Sequence, residues 1–482
     1  MRWRIGSSLG LMVLSATATV MTTTALAHAD VIDELASIPG LTVVEERPEP
    51  APGFRFFVLS YTQPVNHLDP SRGSFQQRLT LLHRSESAPT VAFTTGYDLP
   101  IAPFRSEPTA VVDGNQVGIE ERFFTPSRPE PADFGDLDIY QAAADHHRVI
   151  EALRPLYTGR WLSTGSSKGG MATVYHRRFF EGDIDGSVVY VAPNDVVDTE
   201  DQRYVDFLDQ VGNAECRDRL RAVQRAALER RDQIVPVLEQ VAAEVGLTFD
   251  LIGSADRAFE VSIIELCWTF WQYGLERDCE LVPAADASLG ELIEFVGDVI
   301  GLTGNSDDNL LPYLPFFYQA GTELGYPDID QLSAHLADLR RYPGLDTPRN
   351  FVPLEIPMEF DPLAMVDIDG WVKEQGDKLL FIYGQNDPWT AEPFEPGPGT
   401  TDSFWYVAPG ANHGARITTL VASEQVEAVD TVRGWAGLEP LASEPSFAAS
   451  IESSIDAVDR IDALVHATPL DDFDVFESRP RL

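Results

Sequence analysis

The segment Trp161-Leu162-Ser163-Thr164-Gly165-Ser166-Ser167-Lys168-Gly169 runs from a short apolar stretch into a serine bracketed by two glycines. A helix-compatible stretch, 168–180, follows it. Gly165, Ser167 and Gly169 form the pattern Gly-x-Ser-x-Gly, in which a strand turns sharply into a helix and carries the serine out at the carboxyl end of a sheet. Glycines are needed there because the turn is strained and backbones approach closely. Gly and Ser are common, and an ordinary Gly-rich turn has the same composition. The strand before and the helix after give this match its weight.

Upstream, 54–62, 75–83, 89–95 and 116–124 read as strands. Between 137 and 156 the apolar positions Ile139, Ala143, Ile150 and Leu153 recur at helical spacing. Downstream, 187–192 is another strand. Alternating strand and helix predicts a largely parallel sheet covered by helices. The alternation stops near Val196, and the chain is mostly helical to Arg349, with a long charged helix at 217–245 and an amphipathic one at 291–302. Strands resume at 378–383 and 403–407, and a last helix covers 417–435. The expected fold class is α/β: an α/β-hydrolase core with a mostly parallel sheet and an inserted helical cap. The expected divisions are 1–29 processing signal, 30–195 first part of the core, 196–350 cap, 351–440 second part of the core, and 441–482 acidic tail with a helix near 451–466.

A serine at its free pKa needs a base, and in this fold the order is Ser, then Asp or Glu, then His. Of nine histidines, only His335, His413 and His466 follow Ser167 by more than a helix. His413 lies in Pro409-Gly410-Ala411-Asn412-His413-Gly414, a loop straight after a strand, and is the predicted base. Asp387, in the turn after Leu379-Leu380-Phe381-Ile382-Tyr383-Gly384, is the predicted orienting acid. It could also be an Asx-turn residue before Pro388. Asp367 and Asp369 are rivals without a preceding strand. The predicted oxyanion donors are the amides of Lys168 and of Tyr97, in the loop after the third strand.

The chain has 482 residues, with 35 basic against 76 acidic side chains and a formal charge of −41. That excess argues against nucleic acid or an anionic membrane as a partner, because either would be repelled. Arg2 and Arg4, the apolar stretch 9–26 and Ala27-His28-Ala29 read as a secretory signal. The expected location is therefore extracellular, with no membrane association after signal removal. The pattern calls for no metal and no cofactor, and it leaves oligomeric state open. In an oxidising compartment three cysteines imply one disulfide and one leftover thiol. Three pairings are open. The apolar run Ile263-Ile264-Glu265-Leu266-Cys267-Trp268 suits a buried free thiol, which favours Cys216–Cys279. Only Lys168, Lys373 and Lys378 are lysines, and one of them adjoins the predicted nucleophile.

Thr164-Gly165-Ser166-Ser167-Lys168-Gly169-Gly170-Met171, with Tyr190-Val191-Ala192-Pro193-Asn194-Asp195, resembles the bacterial secreted tripeptidyl aminopeptidases. More distantly it resembles the lysosomal prolyl carboxypeptidase and dipeptidyl peptidase group. Further matching blocks are Gln63-Pro64-Val65-Asn66-His67, Phe75-Gln76-Gln77-Arg78, Glu120-Glu121-Arg122-Phe123-Phe124, Phe270-Trp271-Gln272-Tyr273-Gly274 and 318–325. The resemblance implies a serine exopeptidase that releases tripeptides, or tetrapeptides, from free N-termini, favouring Pro at the cleaved position. It also supports the Cys216–Cys279 pairing. A second cysteine of the lysosomal enzymes is absent from the block around Gly321. An exopeptidase must measure distance from a charged amine, which makes Glu120, helped by Gln319 or Glu323, the expected ammonium site. Trp271 and Tyr273 are expected to line a proline pocket. The alternative on the same scaffold is an esterase or lipase with an uncharged cleft. A non-catalytic binding protein is disfavoured by the complete triad pattern.

Overall fold

The computed structural model describes residues 30–48 and 52–441. The signal at 1–29, the helix expected near 451–466 and His466 lie outside the described residues.

Among the described residues nine strands form one sheet: β1 (Leu41–Arg47), β2 (Arg55–Pro64), β3 (Ser74–His83), β4 (Thr90–Thr94), β5 (Asn115–Ile119), β6 (Trp161–Ser166), β7 (Gly186–Tyr190), β8 (Leu379–Gly384) and β9 (Phe404–Ala408). Their order is β1-β2-β3-β5-β4-β6-β7-β8-β9. The pairs β1·β2, β2·β3 and β3·β5 are antiparallel; the rest are parallel. The helices, in chain order, are α1 (Val31–Ser37), α2 (Glu107–Val112), α3 (Ile139–Leu153), α4 (Lys168–Phe179), α5 (Gln202–Gln210), α6 (Ala214–Glu229), α7 (Arg231–Val245), α8 (Ala255–Tyr273) and α9 (Leu289–Ile300), followed by shorter turns and by Ala364–Gln375 and Ala422–Trp435.

Strands β4 to β8 are buried on both faces, whereas the edge strand β9 leaves Trp405 exposed; β8, Leu379-Leu380-Phe381-Ile382-Tyr383-Gly384, therefore reads as a nearly continuous apolar run. Strand β8 shows the consequence of the two-residue period. Leu380 and Ile382 pack with Val429 and Val432 of the last helix. Leu379, Phe381 and Tyr383 point the other way, into Ile368, Trp371 and Val372. The helices between β7 and β8 have a separate core, in which Leu220, Leu238, Phe259, Phe270, Trp271 and Leu292 meet, with Trp389 packed against it. Within it Cys216 and Cys279 are bridged, with Cα atoms 5.4 Å apart. Both are buried, although their flanking sequence is polar. The Cys267 thiol is free and donates to Gln224 Oε1 at 3.0 Å.

The strand read at 116–124 stops at Ile119. Glu120, Glu121 and Arg122 leave the ladder because each is drawn into a buried charge pair, with Arg78, Lys168 and Asp145 respectively. The helix read at 217–245 is two helices, broken at Arg230, whose side chain donates to the carbonyls of Ala285 and Ala287. Four elements lacked a clear pattern, the short α2 among them. Helix α1 and edge strand β1 are short and charged, and Ala364–Gln375 carries polar residues on its outer side.

Candidate active site

Ser167 stands between β6 and α4 with φ 56° and ψ −125°, a conformation that strains any residue but glycine. Crowding around it explains both flanking glycines. A Cβ on Gly165 would run into the backbone of Gly169 and come to 2.8 Å from the Thr94 oxygen. One on Gly169 would run into the Thr94 oxygen and come to 2.8 Å from the Thr95 carbonyl carbon. The turn is therefore wedged against the end of β4, and the Ser167 amide is tied to the Tyr190 carbonyl at 2.9 Å. These contacts hold a strained serine at the carboxyl end of the central strands.

Asp387 follows β8 and is fully buried. Its Oδ1 accepts the Trp389 amide at 3.2 Å and its Oδ2 meets His413 Nδ1 at 2.7 Å. The Asx turn and the histidine contact thus use different oxygens, so the two readings of Asp387 are compatible. His413 sits in the loop after β9. Its Nε2 is buried and accepts no bond in the free site. Helix α8 holds this loop from above. The His413 amide donates to the Gln272 carbonyl at 3.0 Å. Asn412 Nδ2 donates to the carbonyls of Tyr273 (2.7 Å) and Gly274 (3.2 Å), while its Oδ1 accepts the Gly414 amide. Asn412 thereby satisfies carbonyls that the end of a helix leaves without partners. The rivals are engaged elsewhere: Asp367 with Arg178, Asp369 with Asn194 and Lys373, and His335 with Gln224.

The Lys168 amide is the first of α4, where no intrahelical acceptor exists. The Tyr97 amide donates to Thr95 Oγ1 at 3.0 Å in the free site. The Lys168 side chain turns inward. Its Nζ donates to the Gly96 carbonyl at 2.6 Å and lies 3.3 Å from Glu121 Oε1. Burial lowers the Lys168 pKa and raises that of Glu121, while each partner's charge opposes the shift. Tyr175 donates to Glu121 Oε1 at 3.2 Å, and His146, behind it, is pushed down to about 3 by burial and by neighbouring His176. The rare lysine therefore anchors the loop that carries Tyr97, a role the sequence did not suggest.

Ser167, Lys168, Tyr97 and His413 share one cleft of about 830 Å³. Tyr273 lies on its wall, its ring edge-on to His413 with centroids 6.4 Å apart. The other residues expected to meet substrate lie off this wall. The Glu120 carboxylate is taken by Arg78, Ser127 Oγ and the Leu99 amide. Glu323 accepts the Ile139 amide at 2.9 Å, and burial pushes it up to about 8. Gln319 is fully buried with no partner for its amide atoms. Trp271 packs into the cap core, against Gly212. The cleft instead presents Trp268, Trp389 and the carboxylates of Asp195 and Glu265. Burial pushes Asp195 up to about 8. The sequence carried one signal for Glu265: it is the lone charge inside an apolar run.

A family model described as PS-10 peptidase S37 matches residues 25–466. The chain is 50% identical, over 430 residues, to a prolyl tri/tetrapeptidyl aminopeptidase from Streptomyces mobaraensis, covering 89% of each protein. Among solved structures, a proline iminopeptidase from Mycobacterium smegmatis aligns at 13% identity and TM-score 0.34, over 78% of this chain and 98% of that one. An epoxide hydrolase from Vigna radiata aligns at 12% identity and TM-score 0.32, over 79% and 98%.

Proposed function

From a chain that belongs to the PS-10 peptidase S37 family, and so is a serine peptidase acting on peptides, we infer that Ser167, His413 and Asp387 are its catalytic triad. We propose further that it releases tripeptides or tetrapeptides from free N-termini, with proline favoured before the cut, after export directed by residues 1–29. The reading of the triad rests on one observation above all. His413, held from behind by buried Asp387, and the strained Ser167 face the same cleft, and the imidazole nitrogen turned away from Asp387 is unoccupied.

The chemistry follows from these positions. Ser167 Oγ attacks the scissile carbonyl carbon while His413 Nε2 takes its proton, and Asp387 stabilises the imidazolium through Nδ1. The tetrahedral oxyanion is received by the Lys168 amide and by the Tyr97 amide, which exchanges Thr95 Oγ1 for the substrate oxygen. Collapse breaks the C–N bond, and the Nε2 proton passes to the leaving amine. Water, deprotonated by His413, then cleaves the acyl-enzyme and restores Ser167. Among the described residues no helix is long and apolar enough to cross a membrane. The acidic surface fits an exported protein held in solution by self-repulsion.

A library of peptides, free and N-acetylated, read by mass after incubation with the protein and with Ser167→Ala, tests this. Tri- or tetrapeptide products from free N-termini only, lost in the variant, are expected. Equal cleavage of acetylated peptides contradicts the exopeptidase reading, and activity in Ser167→Ala contradicts the nucleophile.

A further inference from the structure

Helix α8 presents Glu265, Trp268, Thr269, Gln272 and Tyr273 to the cleft. That spacing, i, i+3, i+4, i+7 and i+8, is one continuous helix face. At its carboxyl end the Gln272 carbonyl holds the amide of His413. At the other end Glu265 opens also onto a neighbouring cavity of about 1210 Å³ that shares Thr269, Tyr273, Tyr313 and Phe317 with the cleft.

The Glu265 carboxyl lies beside Asp346, Asn305 and Tyr326, close enough for each to act on its protonation. Asp346 is buried, and neither of its oxygens receives an N–H or hydroxyl donor. Two carboxyls therefore meet with no cation bonded to either. Arg340, which acts on Asp346 through space, is bound to Asp330. Burial pushes Glu265 up to about 7. The basic side chains on the same cleft wall are Lys168 and His413, which are paired with Glu121 and Asp387. A positively charged ligand group would complete the carboxyl pair. Asp98 is also on the wall, but it is exposed, and water screens it.

Distance narrows the choice of ligand. Glu265 and Gln272 are seven residues apart, two helical turns, or about 10.5 Å along the axis. Three extended residues span about 10 Å from the first nitrogen to the third carbonyl. We propose that Glu265, backed by Asp346, binds the α-ammonium of the substrate, and that the α8 face between Glu265 and the His413 anchor measures the length of the released peptide. This rests on the exopeptidase reading above.

The test uses a tripeptidyl-proline p-nitroanilide, Ala-Ala-Pro-pNA, with a free and with an acetylated amine. In the wild type, a preference for the free amine supports the exopeptidase reading, and its absence overturns that reading, and this inference with it. In Glu265→Gln, kcat/KM for the free-amine substrate falls on the order of a hundredfold, mainly through KM, as when one partner of a buried charge pair is removed. The acetylated substrate is little changed, so the ratio collapses, and longer peptides yield products of several lengths. Turnover of p-nitrophenyl acetate by the variant reports an intact triad and fold. If wild-type discrimination persists in Glu265→Gln, or is lost instead in Asp195→Asn, the assignment is overturned.

Discussion

Replacing Lys168 with methionine keeps an unbranched apolar stem, one atom shorter, and removes the charge. Glu121, fully buried, then loses its cation while keeping the Tyr175 hydroxyl. It has two ways to respond: remain charged, or take a proton. Where the wild-type pair is ionised, protonation sets the ceiling on the Glu121 part of the loss. With an unfolded value of 4.5, neutralising Glu121 at pH 7 costs about 3.4 kcal/mol. That sits within the 3–5 kcal/mol range typical of a broken buried pair, roughly speaking. The sign is definite. The variant fold binds a proton that the unfolded chain releases above pH 4.5, so its deficit shrinks as the pH falls. At pH 5.5 this part of the loss is about 1.4 kcal/mol. The lost charged bond to the Gly96 carbonyl adds a pH-independent part of about 1.5–3 kcal/mol. Urea unfolding of wild type, Lys168→Met and Lys168→Met/Glu121→Gln at pH 7 and 5.5 separates the two. The double variant, with nothing to protonate, loses the pH-dependent part. Because Gly96 precedes Tyr97, kcat falls in both variants. A Lys168→Met deficit that does not change with pH would refute an ionised Lys168–Glu121 pair.

Other perturbations probe different levels of the structure. His146 is buried and pushed down from 6.5 to about 3, so acid weakens the fold as the unfolded chain gains that proton first, by about 2 kcal/mol at pH 5. Urea unfolding of His146→Gln between pH 7 and 5 is expected to show a correspondingly shallower decline. The Cys216–Cys279 bridge spans 63 residues, so paired serine substitution is expected to cost about 4 kcal/mol in the chain-entropy account, read by thermal unfolding with and without reductant. Asp387→Asn breaks the 2.7 Å contact that sets the His413 tautomer and is expected to lower kcat by about three to four orders of magnitude with near-normal folding. A loss of less than tenfold there would remove Asp387 from the triad.

The legible parts of this protein are those encoded over short stretches. The Gly165–Gly169 turn, the order Ser167, Asp387, His413 and the apolar strands β6 to β9 each depend on neighbours within a few residues. Strand β1 was not legible because only Leu41 and Val43 pack inward and its second half is charged, too short a buried face to give a pattern. Glu120 and Glu121 are adjacent and alike, and nothing local states that one serves Arg78 and the other Lys168. Trp268 and Trp271 are one helical turn apart, yet the first meets Trp389 at the cleft while the second closes on Gly212 in the core.

By itself the chain's sequence determined the parallel strands, the elbow and the order Ser167, Asp387, His413, since periodicity and turn chemistry are properties of contiguous residues. Only the tertiary structure decided which carboxylates face the cleft and what the buried lysine holds. Those roles depend on which distant side chains exclude water and supply or withhold a counter-charge. Gly96 brought to Lys168, and Asp346 brought to Glu265, become neighbours only through folding.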